Sequence, residues 1–209
     1  MNYSEHKTPC QFLASYKYVK PYLAEKKVLD IGCATGEYLQ TFSKDSIGID
    51  LSSPNVDICR QKGLKVKETD INQPLPFQNA EFDVVFCSHV LEHVDSPVFL
   101  LREINRVLKK NGITIICLPT EISIARVLKD KYFEAHRGHL YSFTISNMRR
   151  LFEYCNFKYE KVIIDINWVR KLYLWWLLWL VQRLPLVCSI WWSNAFWVIG
   201  RKIDDTKKI

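Results

Sequence analysis

No two of the seven cysteines stand in a Cys-x-x-Cys pair, and their number is odd. That removes the common zinc-finger and thioredoxin-like readings and any closed disulfide framework. Cys33, Cys87 and Cys117 each fall at or just past the end of an apolar run. They read as small buried hydrophobes of a reducing compartment. The stretch Met1 to Lys7 is polar, so no signal peptide is expected. Internal repeats, low-complexity tracts and linker-like stretches are missing, which predicts one domain over residues 1–209. A domain of this size buries about 70% of the surface of its unfolded chain. The three-glycine fingerprint Gly-x-Gly-x-x-Gly of dinucleotide sites is absent as well.

What stands in its place is Val28-Leu-Asp-Ile-Gly-Cys-Ala-Thr-Gly-Glu-Tyr-Leu39. Val28 to Ile31 is a short apolar run, as expected of a strand buried in a parallel sheet. Gly32 and Gly36 bracket a tight turn, and Glu37-Tyr38-Leu39 reads as the start of a helix. Strand, turn and helix start gather backbone N–H groups and a positive dipole end at one point, a geometry suited to a nucleotide-like ligand. Asp30 repels a pyrophosphate but suits a sulfonium or ammonium group. Further on, Ile47-Gly-Ile-Asp50 is a second apolar strand ending in an acid, positioned to take both ribose hydroxyls of a nucleoside. A cationic nucleoside fits both acids, and S-adenosylmethionine is one.

Strand and helix patterns alternate along the chain. Strands are predicted at 27–31, 46–50, 64–68, 82–87 and 112–117, and helices at 36–43, 54–62, 97–108 and 121–130. Thr8-Pro9 opens a helix predicted to reach about Lys20, and Ser53-Pro54 and Ser96-Pro97 repeat the cap-then-proline signal. Asn111-Gly112 is expected to end the helix before the fifth strand. Thr144 to Cys155 reads as a helix, and Phe157 to Ile166 and Ala195 to Lys202 as strands. The alternation implies a parallel sheet with right-handed crossovers and a ligand outside the carboxyl ends of its strands. Asp30, Asp50, Asp70 and Cys87-Ser88 all sit at such ends.

The ordered set resembles a known family. Val28–Leu39 looks like motif I of the class I S-adenosylmethionine-dependent methyltransferases, and Ile47–Ser52 like motif II. Thr69-Asp70-Ile71 resembles the adenine-contacting motif. Leu75-Pro-Phe77 with Phe82-Asp-Val-Val-Phe-Cys-Ser-His-Val-Leu-Glu-His93 is similar to motif IV and the segment after it. Arg106–Gly112 before an apolar strand resembles the segment leading to strand five. The resemblance, over about residues 26–203, is to the ubiquinone/menaquinone-biosynthesis type, often called type 11. One departure is Ala34, which stands where motif I usually has its second glycine; it is small enough to keep the backbone approach.

That resemblance implies an α/β fold with a seven-stranded Rossmann-like sheet of order 3-2-1-4-5-7-6, the last strand antiparallel, and helices on both faces. It implies a transferase with S-adenosylmethionine as cofactor and no metal. The cofactor-binding set it implies is Asp30, Gly32, Cys33, Gly36, Asp50, Leu51, Asp70, Ile71 and Ser88. In Asp70 it implies an acceptor for the adenine amine, and in Ile71 a flank for the ring. Methyl transfer needs a base only if the nucleophile carries a proton. The candidates are His89, His93, His136 and His139. Val90-Leu-Glu-His93 matches a family segment whose histidine shapes the pocket, and His136–Thr144 resembles a loop on the substrate side. His139 and His93 are therefore the catalytic candidates, against the plainer reading of structural or exposed imidazoles.

The second half carries the individual features. Residues 1–110 hold 14 Lys+Arg against 14 Asp+Glu, and residues 111–209 hold 15 against 8, the whole net charge of +7. All seven tryptophans lie between Trp168 and Trp197. Leu172–Val181 has no polar face and, as a helix, would run about 15 Å, half a bilayer core. Gln182, Arg183 and Pro185 interrupt it, so it is no standard span. We expect residues 168–193, inserted between strands 6 and 7, to form an interfacial hairpin touching lipid. A lid on the protein's own sheet or a dimer interface is the alternative. The expected enzyme is cytoplasmic, at a membrane surface where lipid is touched, and methylates a small, lipid-like or lipid-linked acceptor. A tRNA or rRNA methyltransferase and a non-catalytic binding protein are the alternatives; the intact acid and glycine set speaks against the last.

Overall fold

The computed structural model describes residues 14–120, 138–165 and 195–203. The predicted helix over 121–130, His136 and the Trp-rich stretch 168–193 lie outside the described residues.

Seven strands form one sheet: β1 (Val28–Ile31), β2 (Ile47–Asp50), β3 (Val66–Glu68), β4 (Phe82–Ser88), β5 (Leu108–Pro119), β6 (Phe157–Asp165) and β7 (Ala195–Lys202). Their order is β3-β2-β1-β4-β5-β7-β6, as expected. The first five pair in parallel, and β7 runs antiparallel to both β5 and β6. Central parallel strands are covered on both faces, and β1 is buried at every position. The period of two sorts the core into two layers. Val85, Cys87, Ile116, Leu118, Phe196 and Val198 face one side, under α2 (Pro97–Val107) and α3 (Ile145–Tyr154). Val84, Phe86, Ile115, Cys117, Trp197 and Ile199 face the other, under Tyr16, Val19 and Leu23 of the N-terminal segment.

Local signals act largely as expected. The Ser96 hydroxyl caps α2 by accepting from Phe99 N, with Pro97 at the first helical position. Thr144 and Asn147 form a reciprocal capping box on α3. α1 (Ser53–Gln61) starts one residue earlier than expected, and Ser52 precedes it with no side-chain cap.

Three expectations are corrected. The helix expected over 36–43 is a chain of turns with one 3-10 turn, Leu39–Thr41. Gly36 has φ of 85° and Phe42 is extended, so the segment is too short for regular helix. Tyr38 instead packs against Tyr16, Phe86 and Trp197. The described end of the predicted N-terminal helix is two 3-10 turns, Ala14–Tyr18 and Lys20–Tyr22, with Pro21 inside the second. Finally, the helix before strand five ends at Val107, and Asn111-Gly112 belongs to β5. Asn111 has φ of 60°, and the register jumps from Phe82↔Leu108 to Val84↔Ile113. The turn signal therefore marks a bulge.

Trp197 lies in β7, as the strand expected over 195–202 placed it. It is fully buried, and its Nε1 donates to Ser15 Oγ at 2.7 Å. Ser15 Oγ in turn donates to Asp165 Oδ2 at 2.8 Å. This relay ties the N-terminal segment to the ends of β6 and β7.

Candidate functional site

The turn after β1 is built from backbone conformations that side chains rarely adopt. Gly32 has φ of 68°, Ala34 of 47° and Gly36 of 85°. A Cβ on Gly32 would lie 2.3 Å from Val90 Cγ2, so the turn and the segment after β4 touch where only glycine fits. Gly32 N and Cys33 N both donate to Ile49 O, which welds the turn to β2. Asp50 completes the frame. Its Oδ2 accepts from Ala34 N at 2.8 Å and its Oδ1 from Ser52 N at 2.9 Å. Asn55 Nδ2 also reaches Oδ1, at 3.3 Å.

Asp30 is buried behind this turn, and its Oδ2 has no hydrogen-bond partner. Burial raises its pKa well above the ordinary carboxylate value, and the nearby Cys59, Asp50 and Glu37 raise it further. Three acids thus surround one turn. The chemistry of that donor set fits a ligand carrying hydroxyls and a positive charge and disfavours a pyrophosphate.

Of the remaining candidates, Asp70 follows β3 and its Oδ1 accepts from Asn72 N at 2.9 Å. Thr69 N donates to Asp50 O, so these two acid-bearing strand ends are bonded together. Leu51 is exposed beside Asp50, and Ile71 is partly buried against the core. Ser88 ends β4 with a buried, unpartnered hydroxyl. The Cys33 side chain points away from the turn's open side, into a small cluster with Leu39 and Cys59. The neighbouring Cys59 thiol and burial push the Cys33 pKa up, and the Cys33 thiol pushes the Cys59 pKa down.

Three of the histidine candidates, His89, His93 and His139, converge at the end of β4. The His93 and His139 rings stand edge-to-face with centroids 4.7 Å apart. His93 Nδ1 lies 2.8 Å from Gly138 O. His89 has φ of 55°, and its Nδ1 is 3.4 Å from Glu92 Oε1, close enough for an ion pair but without hydrogen-bond alignment. Leu140 N donates to Glu92 O and Tyr141 OH to Asp95 O, pinning the 138–143 segment over the turn after β4.

Two residues of this region escaped the sequence reading. Val90 sits inside a matched motif but shows no sign there of closing on Gly32. Glu92 read as a motif letter, whereas it is fully buried among histidines. Among the described residues, seven buried side-chain oxygens lack a hydrogen-bond partner. Six belong to Asp30, Glu37, Thr69, Ser88 and Glu92, all at or just past the carboxyl ends of β1, β3 and β4; Thr114 holds the seventh. Orphaned buried polar atoms are rare, and each calls for an explanation such as a catalytic role or a bound water or ion. An open depression of about 660 Å³ lined by Ile47, Lys67, Phe77 and Glu81 lies at the opposite, amino-terminal ends of the strands.

Residues 29–116 match the model of a family described as "Methyltransferase domain". The chain is 35% identical over 99 residues to a ubiquinone biosynthesis O-methyltransferase of Methylococcus capsulatus, covering 43% of this chain and 42% of that one. It is 34% identical over 102 residues to a probable tRNA methyltransferase 9B of Bos taurus, covering 45% of this chain and 22% of the relative. Each of these matches spans less than half of the relative's own length. In fold it is similar to a SAM-dependent methyltransferase from Thermotoga maritima described as a possible histamine N-methyltransferase. That likeness has a TM-score of 0.69 at 19% identity and covers 91% of this chain and 88% of that one. The family and the fold imply S-adenosylmethionine as cofactor.

Proposed function

We propose that this chain, whose residues 29–116 match the model of a methyltransferase-domain family, transfers a methyl group from S-adenosylmethionine to a small, lipid-like or lipid-linked acceptor. The single observation that carries the catalytic reading is the cluster of unpartnered buried oxygens around an acid-lined glycine turn. Asp50, already fixed by Ala34 N and Ser52 N, is the residue we assign to the ribose hydroxyls. Asp30 and the Gly32–Gly36 turn lie toward the cationic methionine end, with the backbone amides of the turn giving close approach. Asp70 and Ile71 take the adenine, and Leu51 and Ser88 line the same edge.

When bound, the cofactor supplies a methyl group on a good leaving group, displaced in line by the acceptor. The chain's own part is alignment and exclusion of water. The His93 and His139 rings pack edge-to-face, and we place both on the acceptor side. We assign His139 as the general base for a hydroxyl or amine acceptor and His93 as the group that shapes the floor beneath it. The quinone-pathway relative supports a small-molecule acceptor. The relative named as a tRNA methyltransferase favours RNA as the second reading.

Radiolabelled methyl transfer to fractionated lipid and RNA from the source cell tests the proposal. Label in the lipid fraction is the expected outcome. Label confined to RNA would replace the acceptor, and label in neither fraction, with no cofactor binding, would overturn the enzyme reading.

A further inference from the structure

We propose that Glu92, His93 and His139 form a binding site for a divalent first-row transition cation, whose binding would take the place of the general-base role assigned to His139 in the metal-free chain. One ligand atom from each of the three lies within 4.8 Å of the other two. Glu92 is fully buried, and neither carboxylate oxygen has a hydrogen-bond partner. A buried carboxylate left so is costly, and native proteins resolve that cost by protonating the group, pairing the charge or coordinating a metal. His89 stands at 3.4 Å without hydrogen-bond alignment and leaves both oxygens unsatisfied.

His93 carries the orientation typical of a ligating imidazole. A carbonyl oxygen only accepts, so the 2.8 Å contact to Gly138 O assigns the proton of the neutral ring to Nδ1. Nε2 is then the basic nitrogen, and a second partner of this kind fixes ring direction in metal sites. The backbone holds the constellation in place. Leu140 N donates to Glu92 O at 2.8 Å, and Tyr141 OH to Asp95 O at 2.7 Å. The carboxylate and both imidazoles therefore come from two segments already stapled together.

The donor set selects the class of ion. Two imidazoles and one carboxylate suit zinc, iron(II) or manganese(II), while calcium and magnesium prefer oxygen throughout. Bonds of about 2.0–2.2 Å set neighbouring ligand atoms roughly 3.4 Å apart in a tetrahedral site, so small rotamer changes close the set. Three protein ligands leave at least one position open, as in catalytic metal sites.

The test uses the full chain after dialysis against chelator. Zinc(II) is titrated by calorimetry, and cobalt(II) is followed by its visible absorption. The expected result is one ion per chain, cobalt d–d bands and no thiolate charge-transfer band. Glu92→Gln and His139→Ala should each weaken zinc at least about 10–100-fold, the loss known for outer-shell changes alone. Absence of binding would overturn the site, as would binding undiminished in both variants or a thiolate band. If Glu92→Gln fails to fold, His139→Ala on the half-buried loop decides alone. The readout is metal affinity, so its failure is distinct from failure of methyl transfer.

Discussion

Gly32 and Val90 meet at the carboxyl ends of β1 and β4 with no room for a side chain on Gly32: a Cβ there would lie 2.3 Å from Val90 Cγ2. Valine is stiff at χ1, so it has little freedom to step aside. The Gly32–Gly36 turn and the segment after β4 are thus locked to each other by packing.

Gly32→Ala should therefore destabilise the protein by more than the 1–2 kcal/mol, approximately, that a left-handed residue costs by itself. Val90→Ala in the same chain should return part of the loss. Urea unfolding of both single variants and the double variant measures the coupling. Strict additivity would mean that the two residues do not constrain each other.

Asp50→Ala should weaken S-adenosylmethionine by about 1–3 kcal/mol, the scale of hydrogen bonds to a charged group. Because Asp50 also holds Ala34 N and Ser52 N, melting temperature must be followed in parallel. Titration calorimetry showing unchanged affinity in a folded variant would remove Asp50 from the ligand site.

Ser15→Ala strips Trp197 Nε1 and Asp165 Oδ2 of the partner they share. We expect a loss of about 1–3 kcal/mol, the cost of leaving the buried Trp197 N–H unsatisfied. Trp197→Phe should lose the same hydrogen bond while keeping an aromatic ring in the cluster. Thermal unfolding reads both. A Ser15→Ala protein as stable as the parent would show that the relay contributes nothing.

Glu103 gives a pH dependence of known sign. The Arg106 guanidinium, bonded at 2.7–2.8 Å, holds its carboxyl below the usual value of 4.5, aided by Leu75 N. A depressed folded pKa contributes stability at neutral pH that fades as pH falls through and below about 4.5. Glu103→Gln should lower neutral-pH stability and flatten the acid limb of the profile. Denaturant midpoints from pH 7 downward check this; parallel profiles would refute it.

Deletion of residues 170–192 should abolish flotation with anionic vesicles if the stretch touches lipid. Intact protein should float less at high salt, since each cation near an anionic surface contributes about 1 kcal/mol that salt screens. Intact protein that never floats and runs as a compact monomer would favour the lid reading instead.

The strands were legible because their signals are local. Val28–Ile31, Ile47–Asp50 and Phe82–Ser88 are apolar runs ended by an acid, a glycine or a serine, and each is a strand in the sheet. Motif order also carried the sheet order, including the antiparallel β7. The glycine turn and its acids were legible for the same reason, since Gly32, Gly36 and Asp50 act through backbone conformation and strand ends. Long-range packing decided the rest. Residues 37–41 have helical composition, yet the burial of Tyr38 among Tyr16, Phe86 and Trp197 holds them as turns. Trp197 has the same side chain as the tryptophans of 168–193, but strand alternation drives it into the core. Glu92 is a carboxylic-acid residue, and nothing beside it in sequence foretells full burial. Its surroundings come from the segment at 138–141, more than forty residues away, which a local pattern cannot encode.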